Sequence, residues 1–205
     1  MCVAGLSLGL AAAAHADCKN EVDQAFSKLR GGTSFRVETT IVHEKQGTLE
    51  MTVDYVLPDR MHQRVKLGDN PAMMETIAIG DKVWTNQGQG WTEVPQNFAE
   101  AITAQLKQQV SPPTQNKTDY ECLGKTEFEG TTYLAYKGRL SVPQDEQVKG
   151  EQKKETAPDN VQTVYVDTKT GLPVRNIVTE GDSDKRVFDS AFSTPSNIEI
   201  DQPPA

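Results

Sequence analysis

The chain of 205 residues is poor in the side chains on which most catalytic and metal sites depend. It has three histidines, three cysteines and two tryptophans, and aromatic residues make up only 6% of it. No histidine or cysteine pair has metal-binding spacing, and neither a G-x-S-x-G nucleophile elbow nor a phosphate loop occurs. His43 and His62 fall in alternating stretches where exposed histidines are common. The sequence therefore predicts no catalytic residues, no metal site and no cofactor.

Positive charge is also scarce, with 21 Lys and Arg against 29 Asp and Glu and a formal net charge of −8. No cluster of basic residues is present that could follow a phosphate backbone, so nucleic acid is excluded as a partner. Hydrophobic residues at 36% and charged residues at 24% are typical of a soluble globular protein. The absence of internal repeats and the length predict a single domain.

Long apolar runs are missing except at the N-terminus, where the run through Ala14 is too short to span a bilayer. Ala14-His15-Ala16 then has the small-x-small pattern of a signal-peptidase site. These features predict a signal peptide over residues 1–16 and a periplasmic mature domain over 17–205, without a transmembrane segment. Since no basic residue precedes the run, we expect the signal sequence to start before Met1. The alternative is a structural apolar helix.

Two cysteines, Cys18 and Cys122, remain after removal of the predicted signal peptide. An even number of cysteines in an exported protein favours a disulfide bond, although two separate thiols are the alternative. A bond that closes so long a loop would stabilise the fold by about 4–5 kcal/mol in the chain-entropy model.

Hydrophobic periodicity predicts a helix followed mainly by strands. Asp17 is positioned to cap a helix that ends at Gly31-Gly32, and strict alternation begins at Thr33. About ten strands follow, and they are interrupted by one amphipathic helix that begins near Pro95 and stops before Pro112-Pro113. The pattern predicts a mainly β fold with two helices, in which a single curved antiparallel sheet, an incomplete β-barrel, is covered by the helices. The space between sheet and helices is then a candidate cavity.

The two tryptophans lie on a hairpin in "METIAIGDKVWTNQGQGWTEVP". If Gln87 and Gly88 form its two-residue loop, Trp84 lies directly opposite Trp91 on one face of the sheet. Such a pair contributes about 0.5–1.5 kcal/mol beyond burial.

The order of several segments resembles the LolA/LolB-like family of bacterial periplasmic lipoprotein carriers and lipid binders. A short helix precedes "GTSFRVETTIVHEKQGTLEMTVDYVLPDR", which is similar to the family's opening strands with their proline corner. "ETIAIGDKVWTNQGQGWTEVP" looks like its G-x-x-x-W hairpin. "VYVDTKTGLPVR" and "FSTPSNIEIDQPP" resemble its late strand-turn-strand and its closing strand.

The resemblance implies an incomplete barrel covered by helices, with an apolar interior that receives acyl chains of lipids or lipoproteins. One departure concerns the lid. The carriers have an arginine directly before the proline of the early corner, whereas this chain has Leu57 before Pro58, and Arg60 lies beyond the corner. The carriers' lid mechanism is therefore not transferred to this chain.

On this interpretation the apolar side chains of the first strands and the tryptophan hairpin line a ligand cavity. The predicted lining residues are Phe35, Val37, Ile41, Met51, Val53, Tyr55, Trp84 and Trp91. The alternative is that they fill an ordinary core, in which case the protein is an envelope interaction or sensor module that docks a protein partner. A third hypothesis, an unrecognised hydrolase, requires carboxylates brought together from distant strands.

Overall fold

A computed structural model describes most of the chain, with side chains from Asp17 onward. The described residues are 11–44, 47–68, 70, 72–111, 118–140 and 160–204. Residues 1–10 of the predicted signal peptide lie outside them, as does nearly all of the polar stretch 144–160. The predicted cleavage after Ala16 stays a prediction.

The described residues form two helices, α1 at Ala11–Arg30 and α2 at Gln96–Val110. Because α1 already includes Asp17, the prediction that this residue caps the helix is wrong. The helix ends where the Gly31 amide donates to the Ser27 carbonyl at 2.8 Å. Pro95 precedes α2 with a φ of −55°, as predicted for a helix start. Within the described residues, neither helix is long and apolar enough to cross a membrane.

Eleven strands form one sheet in which all pairs are antiparallel, with the order β6-β5-β4-β3-β2-β1-β11-β10-β9-β8-β7. The predicted fold class is confirmed, because β6 and β7 are free edges and the barrel does not close. The strands are β1 Ser34–His43, β2 Gly47–Val56, β3 Arg60–Leu67, β4 Met73–Ile79, β5 Lys82–Asn86, β6 Trp91–Glu93, β7 Tyr120–Phe128, β8 Thr131–Arg139, β9 Asn160–Asp167, β10 Pro173–Glu180 and β11 Arg186–Ser193.

The inner face of the sheet is the one that the helices cover. Across β1 to β5 it follows the directly paired residues Phe35, Tyr55, Met61, Ala78 and Val83, all of which are buried. The alternate residues of the same strands form the outer face, since successive side chains of a strand point to opposite sides.

Each helix covers a different half of the inner face. Helix α2 contacts β5, and its buried residue Leu106 packs in one core cluster with Phe35 and Val53. Helix α1 contacts β7, β9 and β10, and its Val22 belongs to a second cluster. The predicted disulfide is present, with 5.4 Å between the Cα atoms of Cys18 and Cys122, and it ties α1 to edge strand β7.

The chain ends in a C-terminal segment, residues 194–204, that forms no strand. The closing strand predicted for "NIEIDQPPA" is therefore wrong. The segment crosses the outer face instead, where Ile200 is buried against Ile77 and Trp84 in a third apolar cluster. The Arg60 guanidinium donates to the Ile200 carbonyl at 2.7 Å and fixes the segment in place.

Candidate functional site

A cavity of about 640 Å³ lies between the inner face and the two helices. Both helices and eight of the strands contribute to its walls. The lining residues are Asp23, Phe26, Leu29, Arg30, Phe35, Val37, Thr39, Met51, Val53, Tyr55, Met61, Gln63, Thr76, Ile102, Gln105, Leu106, Gln109, Tyr120, Gln162, Asn176, Phe188, Ser190 and Phe192.

One wall of the cavity is built from the apolar residues of β1 and β2. The structure places five of the eight predicted residues there: Phe35, Val37, Met51, Val53 and Tyr55. The rings of Phe35 and Tyr55 stack with their centroids 4.7 Å apart, because the two residues are direct cross-strand partners. Strict alternation in both strands brings these side chains to the same face. That any of them binds a ligand stays a prediction.

Ile41 does not line the cavity. It lies on the inner face, two residues beyond Thr39 in β1, and pairs with Leu49 near the tip of the β1–β2 hairpin. The cavity lining of β1 ends at Thr39. Alternation alone sets the face of a strand residue but not how far along the strand a cavity extends.

The two tryptophans also lie away from the cavity, and their predicted pairing is wrong. Trp84 lies opposite Glu93, and Trp91 lies opposite Asn86. The loop that joins β5 and β6 has four residues, 87–90. It takes this form because the Asn86 side-chain oxygen accepts hydrogen bonds from the amides of Gly88 and Gly90, at 2.9 and 3.2 Å. The pairing is thereby shifted by two residues from the one expected for a two-residue loop.

Register places Trp84 on the outer face. It pairs directly with Ile77, which pairs with His62, which in turn pairs with Asp54. Trp84 is 7% exposed and packs under the C-terminal segment rather than in the cavity. Trp91 packs against the same cluster and is only partly buried. The prediction that Trp84 and Trp91 line the cavity is therefore corrected.

Polar residues that also line the cavity were not among the predicted site residues. The hydroxyl oxygens of Thr39 and Ser190 are 2.7 Å apart, and the amide of Gln162 donates to Asn176 Oδ1 at 2.8 Å. The Tyr120 hydroxyl donates to Gln162 Oε1, also at 2.8 Å. A sequence signal for them existed, because these polar residues occupy inward positions in otherwise apolar strands.

Two charged residues of α1, Asp23 and Arg30, lie on the cavity wall. Burial raises the pKa of the Asp23 carboxyl, against the opposing attraction of Lys19 and Arg30. Burial likewise lowers the pKa of the Arg30 guanidinium, while the attraction of Tyr55 and Asp23 acts in the opposite direction. Within the part of the chain that the structure describes, no three His, Cys, Asp or Glu side chains converge on a potential metal site.

No protein-family model and no curated protein sequence matches the chain. Among solved structures, it is similar to the lipoprotein LppX of Mycobacterium tuberculosis, with a TM-score of 0.57 and 14% identity over 91% of this chain and 99% of that one. It is also similar to LprF of Mycobacterium bovis, with a TM-score of 0.53 and 13% identity over 93% and 98% of the two chains. A LolA superfamily protein from Nitrosomonas europaea aligns over 93% of this chain and 95% of its own, with 8% identity and a TM-score of 0.28.

These likenesses define a class of fold. The chain has the fold of LppX and LprF. In this chain that fold is one open antiparallel sheet covered by helices. The architecture that the resemblance to the LolA/LolB-like group implied, an open sheet covered by helices, is confirmed in this chain.

Proposed function

We propose that this protein is a non-enzymatic periplasmic binder of lipids or of the acyl chains of lipoproteins, and that the cavity is its binding site. The observation that carries the proposal is the cavity of about 640 Å³ between the apolar wall and the helices. Its volume falls in the roughly 300–1,000 Å³ range of small-molecule sites. A methylene group gains about 0.8 kcal/mol when it leaves water for such a wall.

The covering of the cavity supports the same proposal. The disulfide between Cys18 and Cys122 anchors α1, whose Phe26 and Leu29 contribute to the cavity wall. Disulfides persist in oxidising compartments such as the periplasm, which fits the predicted signal peptide. The apolar side chains of α1 would exclude water from a bound acyl chain.

The alternative function, an envelope interaction or sensor module, was based on a packed interior. A cavity of this size favours the binder over that alternative. An open apolar wall with no ligand to cover it loses dispersion contacts and is kept only at a cost in stability.

The proposal is tested by native mass spectrometry of the protein purified from its own envelope, together with titration of the delipidated protein with a fluorescent acyl probe. We expect copurified lipid mass and saturable binding. A folded wild-type protein that carries no lipid and binds no acyl probe would overturn the proposal.

A matched pair of variants locates the binding site. Val37→Trp places an indole in the cavity from β1, and we expect it to weaken probe binding at least ~10-fold, or about 1.4 kcal/mol. Val42→Trp makes the same change on the same strand at an exposed position of the outer face. It should leave the affinity unchanged. Equal affinities for the two variants would place the binding site elsewhere.

A further inference from the structure

We propose that the cavity selects lipids that carry a neutral hydrogen-bond acceptor, such as an ester or amide carbonyl, on or within the acyl chain, and that it discriminates against plain hydrocarbon. This inference rests on the proposed function. It concerns the part of the inner face beside the apolar wall, where a polar strip crosses from β1 to β7. The polar strip consists of Thr39, Ser190, Asn176, Gln162 and the hydroxyl of Tyr120.

Register and one side-chain hydrogen bond make the polar strip continuous. Thr39 pairs directly with Ser190, and Ser190 pairs directly with Asn176. Asn176 pairs with Val164, so Gln162 is its diagonal neighbour, and the hydrogen bond between the two side chains joins them. Gln162 in turn pairs with Gly138, which pairs with Tyr120 on the edge strand. Neighbouring side chains on one face of a sheet lie within reach of one another, so the strip presents its polar groups along one line of the cavity.

The two hydroxyls at one end of the strip hold a spare donor. Thr39 and Ser190 are 4% and 2% exposed, and their oxygens are bonded to each other. Each hydroxyl has one hydrogen, and the bond between them uses only one of the two. Within the described residues no side-chain acceptor is bonded to the other hydrogen. An acceptor on a ligand would complete this pair.

The amide groups in the middle of the strip have a defined direction. The Tyr120 hydroxyl can only donate to Gln162 Oε1, so the Gln162 amide nitrogen faces Asn176 Oδ1. Each of the two side-chain oxygens therefore has a donor bonded to it. The Asn176 amide nitrogen is left as a donor without a side-chain partner among the described residues. The unsatisfied groups of the strip are therefore donors, and a hydrogen-bond acceptor on a ligand would satisfy them.

A glycine makes this arrangement possible. A Cβ atom at Gly138 would lie 2.5 Å from Thr118 Cγ2, closer than real contacts allow, and 3.1 Å from Tyr120 Cδ1, which is tighter than most real contacts. The missing side chain lets the Tyr120 ring cross β8 and reach Gln162. The edge strand thus contributes to the polar strip, although β8 lies between it and β9.

The acceptor is expected to be neutral. No member of the polar strip is charged, and the charged lining residues Asp23 and Arg30 come from α1 and attract each other. A hydrocarbon chain against the strip would bury donors without partners, and sites built to bond a polar group discriminate strongly against analogues that lack it. We therefore expect an ester to bind at least ~10-fold more tightly than an alkane of equal size.

The test is competition between a fluorescent acyl probe and two ligands of equal heavy-atom count, methyl palmitate and nonadecane, both delivered from cyclodextrin. It uses the delipidated full-length mature protein, Asn176→Leu, and the double variant Thr39→Val with Ser190→Ala. Thr52→Val, on the outer face of β2, is the matched control. Circular dichroism and urea unfolding verify that each variant is folded.

We expect wild type and Thr52→Val to prefer the ester at least ~10-fold, and both strip variants to lower that preference below ~3-fold while they keep or improve the affinity for nonadecane. If the strip has a purely structural role, the variants should bind both ligands more weakly by the same factor and leave the ratio of the two affinities unchanged. That result would overturn the inference. So would equal binding of the two ligands by the wild type. If the acyl probe itself does not bind to the folded wild type, the proposed function fails, and this inference fails with it.

Discussion

The inner and outer faces of strands β1–β5 are built from alternate residues of the same strands, yet the chain completes them in opposite ways. Phe35 and Tyr55 point inward and border the cavity, whereas their neighbours Arg36 and Asp54 point outward and bond to each other at 2.6 Å. The C-terminal segment covers part of the outer face, where it buries Trp84. The inner face is covered by the helices, which leave space beneath them.

Together with the proposed function, the comparison predicts that stability and ligand binding depend on different side chains of the same strands. On the outer face, the carboxylate that would be most costly alone is partnered: Asp54 is 4% exposed and accepts hydrogen bonds from both Arg36 and Arg64. On the inner face, polar donors of the strip are left over. Substitutions on the two faces should therefore separate loss of stability from loss of binding.

The largest effect is expected from removal of the disulfide bond that ties α1 to the sheet. Replacing Cys18 and Cys122 together by serine should lower the free energy of unfolding by about 4–5 kcal/mol, since the bond spans a separation of 104 residues. Urea unfolding measures the change, and wild type with a reductant present is the control. A loss below about 1 kcal/mol would show that packing alone holds α1 in place.

The next largest effect is expected from a change in the packing between the outer face and the C-terminal segment. Trp84→Ala removes a large buried side chain beneath Ile200 and should cost about 3–4 kcal/mol of stability. Because Trp84 does not touch the cavity, the affinity for an acyl probe should stay within about twofold of wild type at temperatures where the variant is folded.

Trp91→Ala is the matched control, and it should cost less because Trp91 is only partly buried. A folded Trp84→Ala protein that no longer binds the probe would refute the separation of the two faces.

A smaller effect should follow from the ion pair on the outer face. Burial raises the pKa of the Asp54 carboxyl, but the hydrogen bonds from Arg36 and Arg64 outweigh burial and leave that pKa below its usual value. The stabilisation is therefore fully present above the unfolded pKa of about 3.9 and is lost as pH falls through the folded pKa.

Asp54→Asn should cost about 2 kcal/mol near neutral pH, less than a fully buried pair, because both arginines reach solvent. Thermal unfolding as a function of pH measures it. The variant should also lose less stability than wild type on acidification; parallel pH profiles would contradict this assignment.

The smallest effect is expected in tryptophan fluorescence. Both indoles lie on the outer face, so saturation with a non-fluorescent lipid should leave the emission maximum unchanged. In the Trp84→Phe, Trp91→Phe background, Tyr55→Trp would place a single indole on the cavity wall, and its emission should shift to shorter wavelength when lipid binds. If lipid shifted the emission maximum of wild type but not that of the reporter variant, the binding site would lie on the outer face rather than in the cavity.

Much of the fold could be predicted because its causes are local. Alternation identified the strands, Pro95 marked the start of α2, and the predicted bond between Cys18 and Cys122 is present. Five predicted lining residues of β1 and β2 lie in the cavity for the same reason, since alternation sets the face of a strand residue.

The remaining assignments depended on contacts between distant parts of the chain. The face of Trp84 is determined by register counted through β4 and β3, and the pairing of the hairpin by a side-chain bond from Asn86 to its own loop. The burial of Trp84 further depends on Ile200, which alternation assigned to a strand of its own. The end of the cavity before Ile41 depends on helix placement, which no single strand reveals.

The sheet remains open between β6 and β7, and the chain bridges this gap through α2 rather than through backbone hydrogen bonds. The two borders of the gap could therefore move apart without the loss of any ladder bond, at the expense of side-chain packing alone. A closed cylinder has a width dictated by its strand number and stagger. An open sheet has no such fixed width. Under the proposed function, the cavity of this protein could therefore accommodate ligands of different thickness.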